Sequence, residues 1–208
     1  MVVENDEEIL KLRSQEYSVF LTDKMNSTSG SGILYYSGVG DIFYIFTCAH
    51  IIDGIEDIIK ISVIEPIDRN KEEYKQIVFE VSKQDVIYSA IDEITVDDNG
   101  KSHSVDAAVI PICKENFINI KKTDYYIAEP KKGNKIFVQG FPGGMTEDTM
   151  VESIDEAYGT VLHNIASKLT FGIRIEDGYL DSGNRIVELE GFSGSPVWNR
   201  ETNELILF

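Results

Sequence analysis

The chain has 208 residues, of which 42% are hydrophobic, and this is enough to bury a substantial core without disulfides. Its 19 Lys and Arg residues stand against 36 Asp and Glu residues, which gives a formal net charge of -17 at pH 7. A surplus of negative charge repels phosphate backbones and anionic lipid headgroups. We therefore expect neither nucleic acid nor a membrane as a partner.

Targeting, cysteine and histidine patterns place further limits on the protein. The N-terminal residues lack the basic and apolar segments of a secretory signal, and no segment is apolar for long enough to span a bilayer. Cys48 and Cys113 form no Cys-x-x-Cys pair, so reduced thiols in a cytoplasmic protein are expected. His50, His103 and His163 do not stand at a typical metal-ligand spacing from another His or Cys. We expect no metal and no other cofactor.

The predicted elements begin with an acidic amphipathic helix over residues 1–16, for which the alternative is a frayed terminal segment. Over 17–114, short runs of β-branched and aromatic residues alternate with Gly, Asn, Asp and Ser, which predicts a series of strands. A polar connector is predicted over 115–132, and the strand pattern resumes over 133–208. Many short strands with one connector predict an all-β fold of two packed antiparallel β-barrels.

A serine between two glycines is the most informative feature for chemistry. In Gly191-Phe-Ser-Gly-Ser-Pro196 a tight turn could project the hydroxyl of Ser193 into a cleft, as acyl transfer requires. The backbone N–H groups of Gly191 and Ser193 would then converge on the substrate carbonyl oxygen as an oxyanion hole. For the hexapeptide alone, the alternative is an ordinary hairpin turn rich in Gly, Ser and Pro.

A nucleophilic serine needs a histidine base and an acid that orients this base. His50 closes the apolar strand pattern that ends in Thr47-Cys-Ala-His50, and Asp106 opens the apolar run Asp106-Ala-Ala-Val-Ile-Pro. Taken alone, His50 could be an ordinary surface or core histidine, and Asp106 a turn residue that begins a strand. His103 is a rival base, but it follows a polar loop without a strand pattern.

The order of these residues along the chain narrows the class. His50, Asp106 and Ser193 follow the order of the chymotrypsin group, whereas subtilisin-like enzymes run Asp, His, Ser and α/β-hydrolases run Ser, Asp, His. No histidine follows Ser193, which excludes the α/β-hydrolase order.

Five segments in register resemble the trypsin-like, chymotrypsin-fold serine peptidase family, and in particular its bacterial intracellular, HtrA-like or glutamyl-endopeptidase-like branches. Thr47-Cys-Ala-His50 is similar to the T-A-A-H segment of the family. The other four are Gly30-Ser-Gly-Ile-Leu, Asp106-Ala-Ala-Val-Ile, Gln139-Gly-Phe-Pro and Gly191-Phe-Ser-Gly-Ser-Pro. The resemblance implies a serine endopeptidase that hydrolyses a protein or peptide substrate with the triad His50, Asp106 and Ser193 and without a cofactor.

The chain also departs from the family pattern. Phe192 stands where digestive members have an Asp that pairs with a new N-terminus. Control by another means is therefore expected, either an ordering transition of the loop around Asp177 to Asn184 or a regulatory domain or activator protein. Val187 and Phe192 are the expected lining of the substrate pocket, with His163 as a less favoured addition. Because Phe208 comes early for a second barrel, we expect either an incomplete barrel in a chain that belongs to a larger regulated protein, or a pocket that is built differently. The alternative function is an inert pseudoprotease that binds proteins.

Overall fold

The computed structural model of the chain describes residues 6–25, 27–36, 38, 40–68, 73–91, 95–96, 102–103, 106–113, 115, 123, 125–141, 155–165, 170–177 and 193–206. Its helices are α1 (Asp6–Tyr17) and α2 (Ala49–Gly54), and a 3-10 turn spans Lys83–Asp85. The strands in chain order are β1 (Ser18–Asp23), β2 (Ser29–Tyr35), β3 (Ile42–Thr47), β4 (Ile58–Asp68), β5 (Glu73–Ser82), β6 (Tyr88–Ile91), β7 (Thr95–Val96), β8 (Ser102–His103), β9 (Asp106–Cys113), β10 (Ile127–Ala128), β11 (Lys135–Gly140), β12 (Asp155–Ile165), β13 (Thr170–Asp177), β14 (Val197–Asn199) and β15 (Leu205–Ile206).

The first sheet has the strand order β5-β4-β1-β2-β3-β9-β6, and its neighbouring strands are antiparallel. In β3, Phe43 and Ile45 are buried, while Tyr44 and Phe46, which alternate with them, are partly exposed. Because side chains alternate between the two faces of a strand, this pattern turns one face of β3 into the core. The same core contains Val19, Leu21, Leu34, Ile51, Ile52, Ile59, Ile61 and Ile110.

The second sheet has the order β10-β15-β14-β11-β12-β13, in which only the short β10–β15 pair is parallel among the described strands. Its central strand, β11, is buried on both faces. Ile136 and Val138 pack into a core with Ala157, Val161, Val197 and Ile206. Phe137, between them in sequence, joins a different cluster on the opposite face.

That cluster joins the two sheets, and we call it the seam cluster: Leu10, Tyr17, Ile33, Tyr125, Phe137, Trp198 and Leu205. Tyr125 is its centre, since its ring meets Tyr17 edge-on at 5.0 Å and Trp198 edge-on at 5.5 Å between centroids. The hydroxyl of Tyr125 donates to the carbonyl oxygen of Leu34 at 3.2 Å. The seam therefore combines edge-to-face aromatic contacts with a satisfied buried hydroxyl.

Helix α1 lies against this seam cluster. The indole Nε1 of Trp198 donates a hydrogen bond to the hydroxyl oxygen of Ser14 at 2.8 Å, and both residues are fully buried. At the surface, Lys11 Nζ lies 2.8 Å from a carboxylate oxygen of Glu156 in β12. The hydrogen bond to Glu156 is the main cause that raises the pKa of Lys11 above its ordinary value. Helix α1 thus binds the second sheet at a buried point and at an exposed one.

The structure confirms the predicted all-β class, with two largely antiparallel sheets and short helices. The helix predicted over 1–16 is present as α1 at Asp6–Tyr17. The connector predicted over 115–132 contains β10, which joins the second sheet by pairing Ile127 with Leu205. Neither helix in the described part of the chain is long and apolar enough to cross a membrane.

We predict that Ser14→Ala lowers the free energy of unfolding by about 1–3 kcal/mol, because it leaves the buried indole N–H of Trp198 without an acceptor. The measurement is urea denaturation. The matched control is Ser89→Ala on the exposed part of β6, which should change stability by less than about 0.5 kcal/mol. Equal stability of the two variants would contradict the role given to Ser14.

Candidate active site

His50 and Asp106 meet where two neighbouring strands share an end. Strand β3 runs antiparallel to β9, and Thr47 pairs with Ala108. The end of β3 therefore lies beside the beginning of β9, where Asp106 is the first residue. Immediately after β3 the chain enters α2, whose second residue is His50. Strand pairing alone thus brings the imidazole and the carboxylate to one edge of the first sheet.

The carboxylate of Asp106 holds His50 at two points. One oxygen accepts a hydrogen bond from the backbone N–H of His50 at 2.9 Å. The other oxygen lies 2.5 Å from the ring Nδ1. With the proton on Nδ1, the ring presents a lone pair on Nε2. Both side chains are partly open to solvent, with 49% of the His50 side chain and 39% of the Asp106 side chain exposed.

Ser193 lies in a turn that is bound to the first sheet through Ser31 of β2. The backbone N–H of Ser31 donates to the carbonyl oxygen of Ser193 at 2.9 Å. The carbonyl oxygen of Ser31 accepts from the hydroxyl of Thr47 at 2.6 Å, and its side-chain oxygen accepts from the N–H of Phe141 at 3.1 Å. Ser31 therefore joins β2, the end of β3, the end of β11 and the serine turn.

Gly194 lets this turn approach the first sheet closely. Its φ is +80°, a region that residues with a Cβ rarely adopt. A Cβ added at Gly194 would lie 2.1 Å from the carbonyl oxygen of Ser31 and 2.7 Å from Oγ1 of Thr47. The N–H of Gly194 also donates to the thiol of Cys48. Glycine is therefore required at this position both by backbone angle and by space.

Cys48 lies between the serine turn and the His50–Asp106 pair. Burial is the main cause that raises the pKa of its thiol to about 11, and the negative charge of Asp106 adds to the effect. The hydrogen bond from Gly194 acts in the opposite direction. One ligand atom from each of Cys48, His50 and Asp106 lies within 4.8 Å of the other two, so the three residues are close enough to be candidate metal ligands. The spacing of the histidines and cysteines along the chain did not predict this grouping.

The predicted site residues are brought together to different degrees. Asp106 binds His50 directly, while Ser193 is linked to the same sheet edge by its backbone. Within the described residues, no hydrogen bond joins the Ser193 hydroxyl to the His50 ring. Such bonds are often long before substrate binds and then tighten.

Several other predicted residues are not part of this grouping. Gly191, Phe192 and Val187 lie outside the described residues. His103 belongs to the small β7–β8 sheet, and His163 lies in β12 opposite Gly172.

Three residues that hold the site were not singled out from the sequence: Ser31, Thr47 and Cys48. The sequence carries a signal for Ser31, which stands between Gly30 and Gly32, and glycines within a strand often mark a close approach of backbones. A Cβ at Gly32 would lie 3.0 Å from the carbonyl oxygen of Phe46, in the neighbouring strand β3. Cys48 carries its signal in its spacing of two residues from His50.

We predict that Gly194→Ala is more destabilising than Gly133→Ala. Gly133 also has positive φ, +90°, but nothing lies within 4 Å of an added Cβ, so it isolates the cost of the backbone angle. At Gly194 the contact with Ser31 should add at least about 1–3 kcal/mol. Thermal or urea denaturation of both variants measures this difference. Equal destabilisation would show that the close approach of the turn is not a constraint.

The trypsin-like peptidase domain family matches residues 30–206, which is most of the chain. Comparison with curated proteins finds no match. Among solved structures, the fold is similar to Deg5 with a TM-score of 0.54 and 14% identity, covering 99% of this chain and 84% of that one. A serine endoprotease from Yersinia pestis gives 0.53 with 17% identity, covering 99% and 57% of the two chains.

A catalytically active tobacco etch virus protease gives a TM-score of 0.53 with 14% identity, covering 92% of this chain and 65% of that one. At these identities the structural matches establish the fold, and the family match extends over both sheets and over the segments that contain His50, Asp106 and Ser193. The chain belongs to the trypsin-like peptidase domain family.

Proposed function

We propose that the protein is a serine endopeptidase that hydrolyses peptide bonds of a protein substrate with His50, Asp106 and Ser193 as its catalytic triad. The observation that carries the proposal is that the Asp106 carboxylate contacts both the backbone N–H and Nδ1 of His50. The turn that contains Ser193 is bound to the same sheet. A histidine held by its backbone and by Nδ1 has a fixed ring orientation and a fixed tautomer. These are the properties that a general base needs.

In the proposed reaction, the hydroxyl of Ser193 attacks the carbonyl carbon of the scissile bond while Nε2 of His50 takes its proton. Asp106 stabilises the imidazolium that forms, through the contact with Nδ1. The same imidazolium then gives the proton to the departing amine. Water enters, His50 activates it, and the acyl group leaves Ser193 as the new carboxylate.

The developing oxyanion is proposed to bind to the backbone N–H groups of Gly191 and Ser193. Support comes from the turn, because Gly194 in its positive-φ conformation and the bond from Ser31 fix the backbone directly after Ser193. In a serine peptidase studied by mutagenesis, loss of one such hydrogen-bond donor costs about 3 kcal/mol of transition-state stabilisation.

Serine is a better candidate than cysteine for the nucleophile of this site. Cys48 is close, but burial raises the pKa of its thiol to about 11, so the reactive thiolate is rare at neutral pH. Cys113 lies at the opposite end of β9 from Asp106, seven residues and therefore about 23 Å along the strand. Neither thiol competes with Ser193 for the His50 base.

The wider setting is also proposed. A pocket lined by Val187 and Phe192 would favour an apolar or small substrate side chain before the scissile bond. We propose a cytoplasmic location and activity under the control of a regulatory domain or activator protein. The two sheets would act as halves, with His50 and Asp106 in 17–114 and Ser193 in 133–208.

We predict that a fluorophosphonate probe labels the protein and that Ser193→Ala abolishes the labelling. The matched control is Ser195→Ala in the same turn, whose buried hydroxyl has no hydrogen-bond partner among the described residues. This variant should fold and label normally. Asp106→Asn should slow labelling strongly, since the corresponding change in a well-studied serine peptidase lowers turnover about 10⁴-fold.

Labelling that persists in Ser193→Ala, or is absent from protein supplied with its activator, would overturn the proposed activity. The second result would favour a binding module that keeps the fold without the chemistry.

A further inference from the structure

Cys48, His50 and Asp106 form a compact set of metal-ligand atoms. The sulfur of Cys48, a ring nitrogen of His50 and a carboxylate oxygen of Asp106 all lie within 4.8 Å of one another, and Nδ1 is the nitrogen that faces Asp106. Thiolate, imidazole and carboxylate are the three side-chain donors that zinc uses in proteins. Magnesium and calcium prefer sets made of oxygen atoms only, so a site with sulfur and nitrogen selects against them.

The scaffold fixes all three residues. Cys48 and His50 are two residues apart at the beginning of α2, where Cys48 has an extended backbone conformation. Asp106 is bound to this segment by the backbone N–H of His50, a contact that does not involve the ring. The imidazole and the carboxylate are open to solvent, so an ion could reach them without unfolding.

We propose that this cluster binds one zinc ion through Cys48, His50 and Asp106, with water in the fourth position, and that bound zinc switches the active site off. In a tetrahedral site, Zn–S and Zn–N bonds of about 2.3 and 2.0 Å place ligand atoms about 3.3–3.7 Å apart. The atoms found within 4.8 Å therefore have to shift by about 1 Å. The shift includes separating Nδ1 of His50 from the carboxylate oxygen that now lies 2.5 Å away.

The proton balance explains why zinc would inhibit. The thiol of Cys48 loses its proton to solvent when it binds zinc. Nδ1 of His50 gives up its proton as well, and the neutral ring then carries a proton on Nε2 instead, by exchange with solvent. Nε2 then has no lone pair with which to accept the proton of Ser193. Zinc binding itself needs no peptidase activity, whereas inhibition rests on the proposed function.

Cys48 is the residue that distinguishes this chain from the family pattern in this segment. The T-A-A-H segment that Thr47-Cys-Ala-His50 resembles has alanine at the position of Cys48. A Cys48→Ala variant restores that pattern, so it is a conservative way to remove one ligand. Cys113 is the matched control, since it is the second thiol of the chain and lies exposed at the far end of β9.

The test measures zinc binding by isothermal titration calorimetry on Ser193→Ala protein, which cannot turn over. We expect one zinc ion per chain, with no heat from magnesium. Adding Cys48→Ala should weaken zinc by more than the 10–100-fold that is typical for loss of an outer partner of a ligand. Adding Cys113→Ala should leave binding unchanged. Cobalt in place of zinc should give a thiolate charge-transfer band that Cys48→Ala removes and Cys113→Ala keeps.

A second arm tests inhibition in protein that retains Ser193. Zinc should slow fluorophosphonate labelling, a chelator should restore it, and Cys48→Ala should make labelling insensitive to zinc. Zinc binding of equal strength in Cys48→Ala, or a cobalt complex without a thiolate band, would overturn the site. Zinc that binds through Cys48 without slowing the labelling would overturn the switch. Protein that binds zinc through Cys48 but never labels would support the site and overturn only the proposed function.

Discussion

The hydrogen bonds of Ser31 are the constraint on which the rest of the site depends. This one residue accepts from Thr47 and Phe141 and donates to the carbonyl oxygen of Ser193. It thereby fixes the serine turn, which precedes β14 of the second sheet, against the strands of the first sheet that lead to His50 and Asp106. The approach is close enough that Gly194 has no room for a side chain. The site is therefore a product of how the two sheets meet.

Apolar packing and hydrogen bonding make different contributions to the way the two sheets meet. The seam cluster brings the sheets together by burying aromatic rings, of which Tyr125 contacts both Tyr17 and Trp198. Apolar contact is not directional, so it leaves the sheets free to slide by small distances. The bonds of Ser31 are directional and remove that freedom at the point where chemistry is proposed. The pairing of β3 with β9 does the same for His50 and Asp106.

The fold class, the family and the contact between His50 and Asp106 could be predicted from the sequence, whereas the roles of Ser31 and Cys48 and the pairing of β10 could not. A strand such as β3 can be predicted from the alternation of buried and partly exposed side chains along it. A family motif predicts the positions of its characteristic residues, such as His50 and Asp106. The role of Ser31 was not predictable, because it depends on partners 16 to 162 residues away that only the fold brings near. The spacing of Cys48 from His50 does not predict the contact of Cys48 with the serine turn, since its neighbour Gly194 is distant in the chain. The parallel pairing of β10 inside the predicted connector likewise depends on β15, which a local pattern does not include.

The contact of α1 with Trp198 has a consequence for biosynthesis. Ser14 and Trp198 are 184 residues apart, so this buried hydrogen bond joins two segments that are synthesised at very different times. On the ribosome, α1 is made before the strands of both sheets, and its buried hydrogen bond to Trp198 cannot form until Trp198 has left the exit tunnel. Contacts of such separation are formed late and slowly. The seam cluster is therefore complete only after Trp198 and Leu205 have been synthesised, and the hydrogen bond between Ser14 and Trp198 is expected to be among the last contacts of α1 to form.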